Sequence, residues 1–371
     1  MPVTASQIFA CLEEFFSGKI AEDWDNVGLQ VGDPTKEVGR VLVALDPDPE
    51  TVKIGIEKEV DLIVTHHPLI FRPVKRLDFS QPAALLLRKL IKNEITVYSL
   101  HTNLDAAPYG LNQYLAEKLG LNRIKPWGTN RFEILYKLVV YVPRDHVENV
   151  RKAICTSGAG HTGNYSDCSF RVAGTGTFKP LPGAKPYLGE VGKVSEVDEY
   201  RLETVVPENR IYRVLDALHR AHPYEEIAYD LIRLSNRGTK LSPGRQGELA
   251  RPVSLGQFAV EVKNRLRLPQ VAVVGRIDSQ VKKVALVSGS GASFLGQAAS
   301  QGFDVLLTGD IKYHDAREAQ LLGINLVDAG HYGTECLAVE LLARFLTEKS
   351  EERGWDIEVI PFEGSSPFIF V

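Results

Sequence analysis

DLIVTHH at residues 61–67 and DVLLTGD at residues 304–310 decide the fold: each is an apolar run of strand-forming residues that stops abruptly in polar ones. Uninterrupted apolar strands of this kind belong to parallel sheets covered on both faces. Working outward from the first, VGRVLVALD (38–46) lies before it and ITVYSL (95–100) after it, with helical periodicity near 49–59 and 81–92 and a closing helix LNQYLAEKLG (111–120). The second repeats the plan. KKVALVSG (282–289) precedes it and INLVDA (324–329) follows, with helices near 292–301 and 313–322 and a long helix from about 334. The same βαβαβα unit therefore occurs twice, which predicts an α/β protein whose duplicated halves form one domain.

Residues 131–234 have a different rhythm. Strands are predicted at 133–142, 168–178, 198–206 and 226–233, and helices at 145–155 and 209–220, the β-α-β-β-α-β order of a ferredoxin-like unit. Within it YVPRDHVENVRKAI (141–154) and VVPENRIYRVLDAL (205–218) align without gaps, Pro143 with Pro207, Val150 with Val214 and Ala153 with Ala217. Each proline stands just before a helix, where its missing N–H is not needed. The glycine- and proline-rich GTGTFKPLPGAKPYLG (174–189) reads as a long connection and SNRGTKLSPGRQGEL (235–249) as the return linker. The expected organisation is a first half over 1–130, an insert over 131–234 and a second half over 235–371.

Apolar residues make up 44% and charged residues 24% of the 371, an ordinary globular balance, and no run approaches the roughly 20 apolar residues that span a bilayer. The start, MPVTASQIFACLEEFF, reads as an amphipathic helix rather than a secretory signal, so a cytoplasmic location is expected. Cys11, Cys155, Cys168 and Cys336 are too far apart to offer paired thiolates to a zinc ion and read as buried thiols. A net charge of −4 with both signs interspersed gives no electrostatic case for nucleic acid.

The chemistry concentrates where strands end, which is where parallel sheets collect ligands. THHPLIF (65–71) carries two adjacent histidines; neighbouring side chains on an extended chain point to opposite sides, so His66 and His67 suit two ions better than one. A capped surface loop is the alternative. SLHTNLDAA (99–107) supplies Asp105, with His101 and Asn103 as further polar groups, and a helix cap is again the plainer reading. DAGHYGTECLAVELL (328–342) places His331 and Glu335 four residues apart on one helix face. Together His66, His67, Asp105, His331 and Glu335 are one donor more than a closed tetrahedral site uses. Two ions with open positions, bridged by Glu335, account for them. Nitrogen and oxygen donors without sulfur suit Zn²⁺, Fe²⁺, Mn²⁺, Co²⁺ or Ni²⁺. Asp310 and His314 in TGDIKYHDA (308–316), together with His101, are candidate proton-transfer groups, the alternative being a helix start with an i, i+4 charge pair. SGSGAS (288–293) either holds an anion on backbone N–H groups or is a simple turn. HPYEE (222–226) and GHTGNY (160–165) read as turns, with a ligand or metal contact as the alternative.

WDNVGLQVGD (24–33), DLIVTHHPLIF (61–71), SLHTNLDAA, TGDIKYHDA and DAGHYGTE (328–335) together resemble, in order and along essentially the whole chain, the motifs of the NIF-three-like family, also catalogued as GTP cyclohydrolase 1 type 2 homologues. The resemblance implies that His66, His67, Asp105, His331 and Glu335 are ligands of a dinuclear metal centre, zinc foremost, with the glutamate between the ions. It also implies a toroidal homohexamer and a PII/CutA-like insert. The ending SSPFIFV (365–371) is similar to the family's closing motif, with Ser366 where asparagine is common. A metal-dependent hydrolase acting on a small nucleotide-like or heterocyclic substrate is the leading expectation. The runner-up is a non-catalytic regulator or adaptor whose insert senses a metabolite or binds a protein partner, and metal storage or delivery is a third.

Overall fold

Strands Arg40–Ala44, Leu62–Thr65 and Thr96–Ser99 lie side by side in parallel, joined by helices Pro49–Glu57 and Pro82–Lys92. Strands Gln280–Ser290, Val305–Gly309 and Asn325–Asp328 repeat the arrangement in a second sheet, with helices Leu295–Ser300 and Tyr313–Leu322 between them. The helix starts are written locally: Asp48 caps the first by accepting from Thr51 N at 2.7 Å, with Pro49 at its first position. The computed structural model describes residues 1–129 and 131–369. They form two units, Met1–Arg131 with Leu241–Val371, and Phe132–Lys240. The protein is mixed α/β.

Alternate residues of each central strand face different cores. In Arg40–Ala44, Val41 and Val43 join a cluster shared by both halves, with Leu104, Val284, Leu286 and Leu342, whereas Leu42 packs outward with Val52, Ile63 and Leu90. Leu306 and Leu326 do the same for the second sheet, packing with Leu295 and Ala319. Burial on both faces is why these strands read as unbroken apolar runs.

The halves also exchange strands, which periodicity alone could not reveal. The C-terminal Glu358–Phe362 pairs in parallel with Arg40–Ala44 of the first sheet. In return Asn122–Trp127 pairs with Gly244–Ser254 at the edge of the second. SNRGTKLSPGRQGEL is therefore not a linker: Tyr229–Leu241 runs as strand through its first part and Gly244–Ser254 through its last. The glycines there serve close approach, since a Cβ on Gly244 would lie 2.6 Å from the Leu286 carbonyl oxygen.

The second unit has strands Arg131–Pro143, Ser169–Phe178, Ser195–Pro207 and Tyr229–Leu241, with helices Val147–Thr156 and Ile211–Ala221. In the sheet the fourth strand lies beside the first, then the third, then the second. Leu138, Val150, Leu202, Val214 and Leu218 are buried in its own core. No helix among the described residues is long and apolar enough to cross a membrane, and the four cysteines are free.

Candidate metal centre

Glu335 is the hub. It closes the short helix His331–Glu335, is buried, and lies against three imidazoles: His331 Nε2 at 2.8 Å and His67 Nε2 at 2.9 Å from Oε2, and His66 Nε2 at 3.8 Å from Oε1. Burial alone would raise its pKa, but these imidazoles outweigh it and hold the carboxyl well below the ordinary range. Glycine beneath it leaves the carboxylate its place, because a Cβ on Gly289 would stand 2.2 Å from Oε1 and force it to move.

His66 and His67 converge rather than diverge. Their ring centres are 5.1 Å apart and both face Glu335, on different carboxylate oxygens. The expectation of opposite sides assumed a continuing pleat, yet the strand ends at Thr65 and the chain bends at both histidines. The His66 ring is fully buried and Nδ1 donates to the Leu100 carbonyl at 2.8 Å, which leaves the lone pair on Nε2. That buried Nε2 has no hydrogen-bond partner.

A carboxylate stands behind each of the other three imidazoles. Asp46 Oδ1 accepts from His67 Nδ1 at 2.7 Å, Asp310 Oδ2 from His331 Nδ1 at 2.7 Å, and Asp25 Oδ1 from His101 Nδ1 at 2.9 Å. Burial works against a charged His67, but the bonds to Asp46 and Glu335 push its pKa up to about 10. The bond to Glu335 does most to raise His331 to about 9, burial opposing and Asp310 adding. Asp25 is partly buried, yet hydrogen bonds from His101 and Thr102 bring it down to about 2. Asp310 holds its place with a left-handed backbone, φ +56°, a strained conformation for a residue other than glycine.

Asp105 comes from the helix Thr102–Ala106 and accepts from Ser288 Oγ at 3.0 Å. Burial raises its pKa, with His66 opposing and Glu335 adding to the rise. Asn103 is turned away from the imidazoles, its amide donating to the Phe16 carbonyl at 2.6 Å. His314 is exposed, its ring 5.4 Å from Tyr313, and shares no hydrogen bond with the cluster. In SGSGAS the N–H groups of Ser288, Gly289 and Gly291 are already taken by Asn112 Oδ1, Thr334 Oγ1 and Thr308 Oγ1, so an anion there would have only the remaining N–H groups of the segment to use. Ser366 Oγ accepts from Phe368 N at 3.1 Å, and the last two residues of SSPFIFV lie outside the described ones.

The donor set suits divalent cations. His66, His67 and His101 form one group, and His67, His331 and Glu335 another, each with ligand atoms within 4.8 Å of one another. Imidazoles fixed through Nδ1, with lone-pair or carboxylate atoms meeting beyond them, are the arrangement that supports metal ligands. Sequence reasoning missed Asp46 and Asp25 as the groups behind His67 and His101. The signal for Asp25 was the WDN run, whose Asn26 also donates to the Ile70 carbonyl at 2.5 Å and so steadies the loop after the histidine pair.

The profile of Duf34/NIF3 (NGG1p interacting factor 3) matches residues 3–367. The chain belongs to that family. Among Duf34/NIF3 relatives, a Bacillus subtilis (strain 168) protein named GTP cyclohydrolase 1 type 2 homolog is 42% identical over 370 residues, covering 100% of this chain and 99% of the relative. A Staphylococcus aureus (strain MSSA476) protein of the same name is 37% identical over 348 residues, 93% of this chain and 94% of its own. The crystal structure of a Bacillus cereus protein related to NIF3 matches with a TM-score of 0.87 at 39% identity, over 100% of this chain and 99% of that one.

Proposed function

We propose that the Duf34/NIF3 domain is a metal-dependent hydrolase with two divalent ions, zinc foremost, held by His66, His67, Asp105, His331 and Glu335, with His101 as a further donor or proton carrier. The observation that carries this reading is the His66 ring, locked through Nδ1 to the Leu100 carbonyl while its buried Nε2 is unpartnered and faces Glu335. When bound, the ions would supply Lewis acidity that polarises a carbonyl, imine or phosphoryl oxygen and acidifies water. The chain's own groups do the rest. Glu335 presents Oε2 to His67 and His331 and Oε1 to His66, Asp46 and Asp310 fix the rings of His67 and His331, and His101, held by Asp25, is the candidate proton carrier. Asp310, on its strained turn, and the exposed His314 are candidate proton carriers nearer solvent. A small nucleotide-like or heterocyclic substrate is in keeping with the name of the relatives, GTP cyclohydrolase 1 type 2 homolog. A cytoplasmic location and a toroidal homohexamer complete the reading.

The test is a screen of zinc-loaded protein against GTP, other nucleotides, cyclic amides and phosphoesters, beside Glu335→Ala. Turnover that disappears in the variant supports hydrolysis at this site; turnover unchanged in it rules the mechanism out. A second reading, a non-catalytic regulator whose insert senses a metabolite or binds a protein, is favoured by the separate unit Phe132–Lys240 with its own core. In that reading the unit is a ferredoxin-like, PII/CutA-like module, for which the fourth–first–third–second strand order speaks. Deleting residues 132–240 separates the two, because hydrolysis by the remaining domain would persist.

A further inference from the structure

HPYEE, which reads in sequence as a turn, lies beside a cavity of about 480 Å³ contained wholly within the unit Phe132–Lys240. That volume is within the range of small-molecule sites, roughly 300–1,000 Å³. Phe178, Tyr187 and Tyr224 contribute aromatic walls, with ring centres 6.0 Å apart for Phe178 and Tyr224 and 6.3 Å for Tyr187 and Tyr224. Leu181 and Leu188 add apolar surface.

Glu199 also lines this cavity, although it is only 7% exposed. The Tyr224 hydroxyl donates to Oε1 at 2.9 Å, and among the described residues Glu199 has no ion pair and Oε2 has no donor. A buried carboxylate served by one neutral donor is incompletely satisfied. The neighbouring strand makes room for it: Gly176 has no side chain, and a Cβ there would lie 2.2 Å from Oε2. The remaining charges of the lining are the exposed Glu225 and Glu226 against Lys179, so the cavity is acidic.

Aromatic faces around a carboxylate recognise one chemical class well, an organic cation with a carbon body, through cation–π attraction and charge pairing. We propose that this cavity binds a small organic ammonium ion, its charged head against Glu199 and its body among Phe178, Tyr187 and Tyr224. The proposal is independent of the metal centre, since no residue of that centre lies in this unit.

Calorimetric titration of the full-length protein with phenethylammonium, hexylammonium and tetramethylammonium, and with the neutral 2-phenylethanol and the anionic 3-phenylpropionate, tests it. At least one of the three cations is expected to bind, and phenethylammonium to bind about tenfold or more tighter than the alcohol. Glu199→Gln should weaken the cation about tenfold, while Glu196→Gln, exposed on the same strand, should leave it unchanged. Tyr187→Leu, at the exposed rim, should weaken it severalfold and serves if Glu199→Gln does not fold. Failure of all three cations to bind at millimolar concentration, equal binding of ammonium and alcohol, or a Glu199→Gln protein with undiminished affinity overturns the proposal.

Discussion

Replacing Gly289 by alanine should damage the metal centre and the fold together, and the size of the effect can be worked out against a matched control. Gly289 has φ +62°, and a Cβ there would lie 2.2 Å from Glu335 Oε1, 3.1 Å from its Cδ and 3.5 Å from His331 Cε1. Gly302 has φ +71° with nothing within 4 Å. Alanine at either position adopts a left-handed backbone, which costs about 1 kcal/mol. Only at Gly289 must the carboxylate also recede from 2.2 Å to the 3.4 Å where ordinary contact begins, about 1.2 Å. Such overpacking costs a further ~1–3 kcal/mol. Gly302→Ala should therefore lose about 1 kcal/mol and Gly289→Ala about 2–4 kcal/mol. Urea unfolding followed by tryptophan fluorescence reads this cleanly, because Trp24, Trp127 and Trp355 all lie in the unit that carries the site. Metal content after dialysis in chelator-free buffer is the companion measurement. Gly302→Ala should match the wild type, and Gly289→Ala should retain less than about a tenth, since disturbing the groups that hold a ligand in place weakens metal binding about 10- to 100-fold. A Gly289→Ala protein as stable as Gly302→Ala, with undiminished metal, would refute the reasoning.

Asp46→Asn should weaken metal binding about 10- to 100-fold while leaving the ligands themselves in place, since Asp46 acts only by holding the His67 ring; competition with a fluorescent chelator measures it, and unaltered affinity would count against the role. Arg245 is buried and donates to Gln113 Oε1 and to the carbonyls of Ser242, Gly244, Ala107 and Pro108. Arg245→Met strands those acceptors and should cost about 3 kcal/mol in the same urea assay, whereas a loss under about 1 kcal/mol would show the network to be dispensable. His222 is held below its ordinary pKa by burial, with its Nε2 3.0 Å from the Tyr141 carbonyl. The unfolded chain therefore takes up a proton before the folded one does. The stability of Phe132–Lys240 should be full above about pH 6.5 and fall as the pH drops below it. Thermal melts by tyrosine fluorescence should show this fall flattened in His222→Asn, and an identical pH dependence in the variant would contradict it.

Much of the fold is legible because both faces of the central strands are covered, so DLIVT and DVLLT stand out as apolar runs and their repetition announces the duplicated plan. The strand exchange is not legible, since Glu358–Phe362 and Asn122–Trp127 find partners far away in sequence and nothing local marks them. Among site residues, His331 and Glu335 are readable as an i, i+4 pair on one short helix. Asp25 meets His101 across 76 residues and Asp46 meets His67 across 21, and a carboxylate in a loop has no signature of its own. The direction of His67 eluded the pleat rule because the strand ends two residues earlier. Gly238, in a stretch that composition marks as linker, instead sits under a neighbouring strand, where a Cβ would lie 2.7 Å from the Glu133 carbonyl oxygen.

The proposed function requires two metal ions where the imidazoles converge on Glu335. Anomalous diffraction from crystals of protein purified without chelators tests it most directly. Two metal peaks per chain that share Glu335 are expected, with His66 on one ion and His331 on the other. A single peak beside Glu335, or none, in crystals grown from metal-replete protein would contradict it.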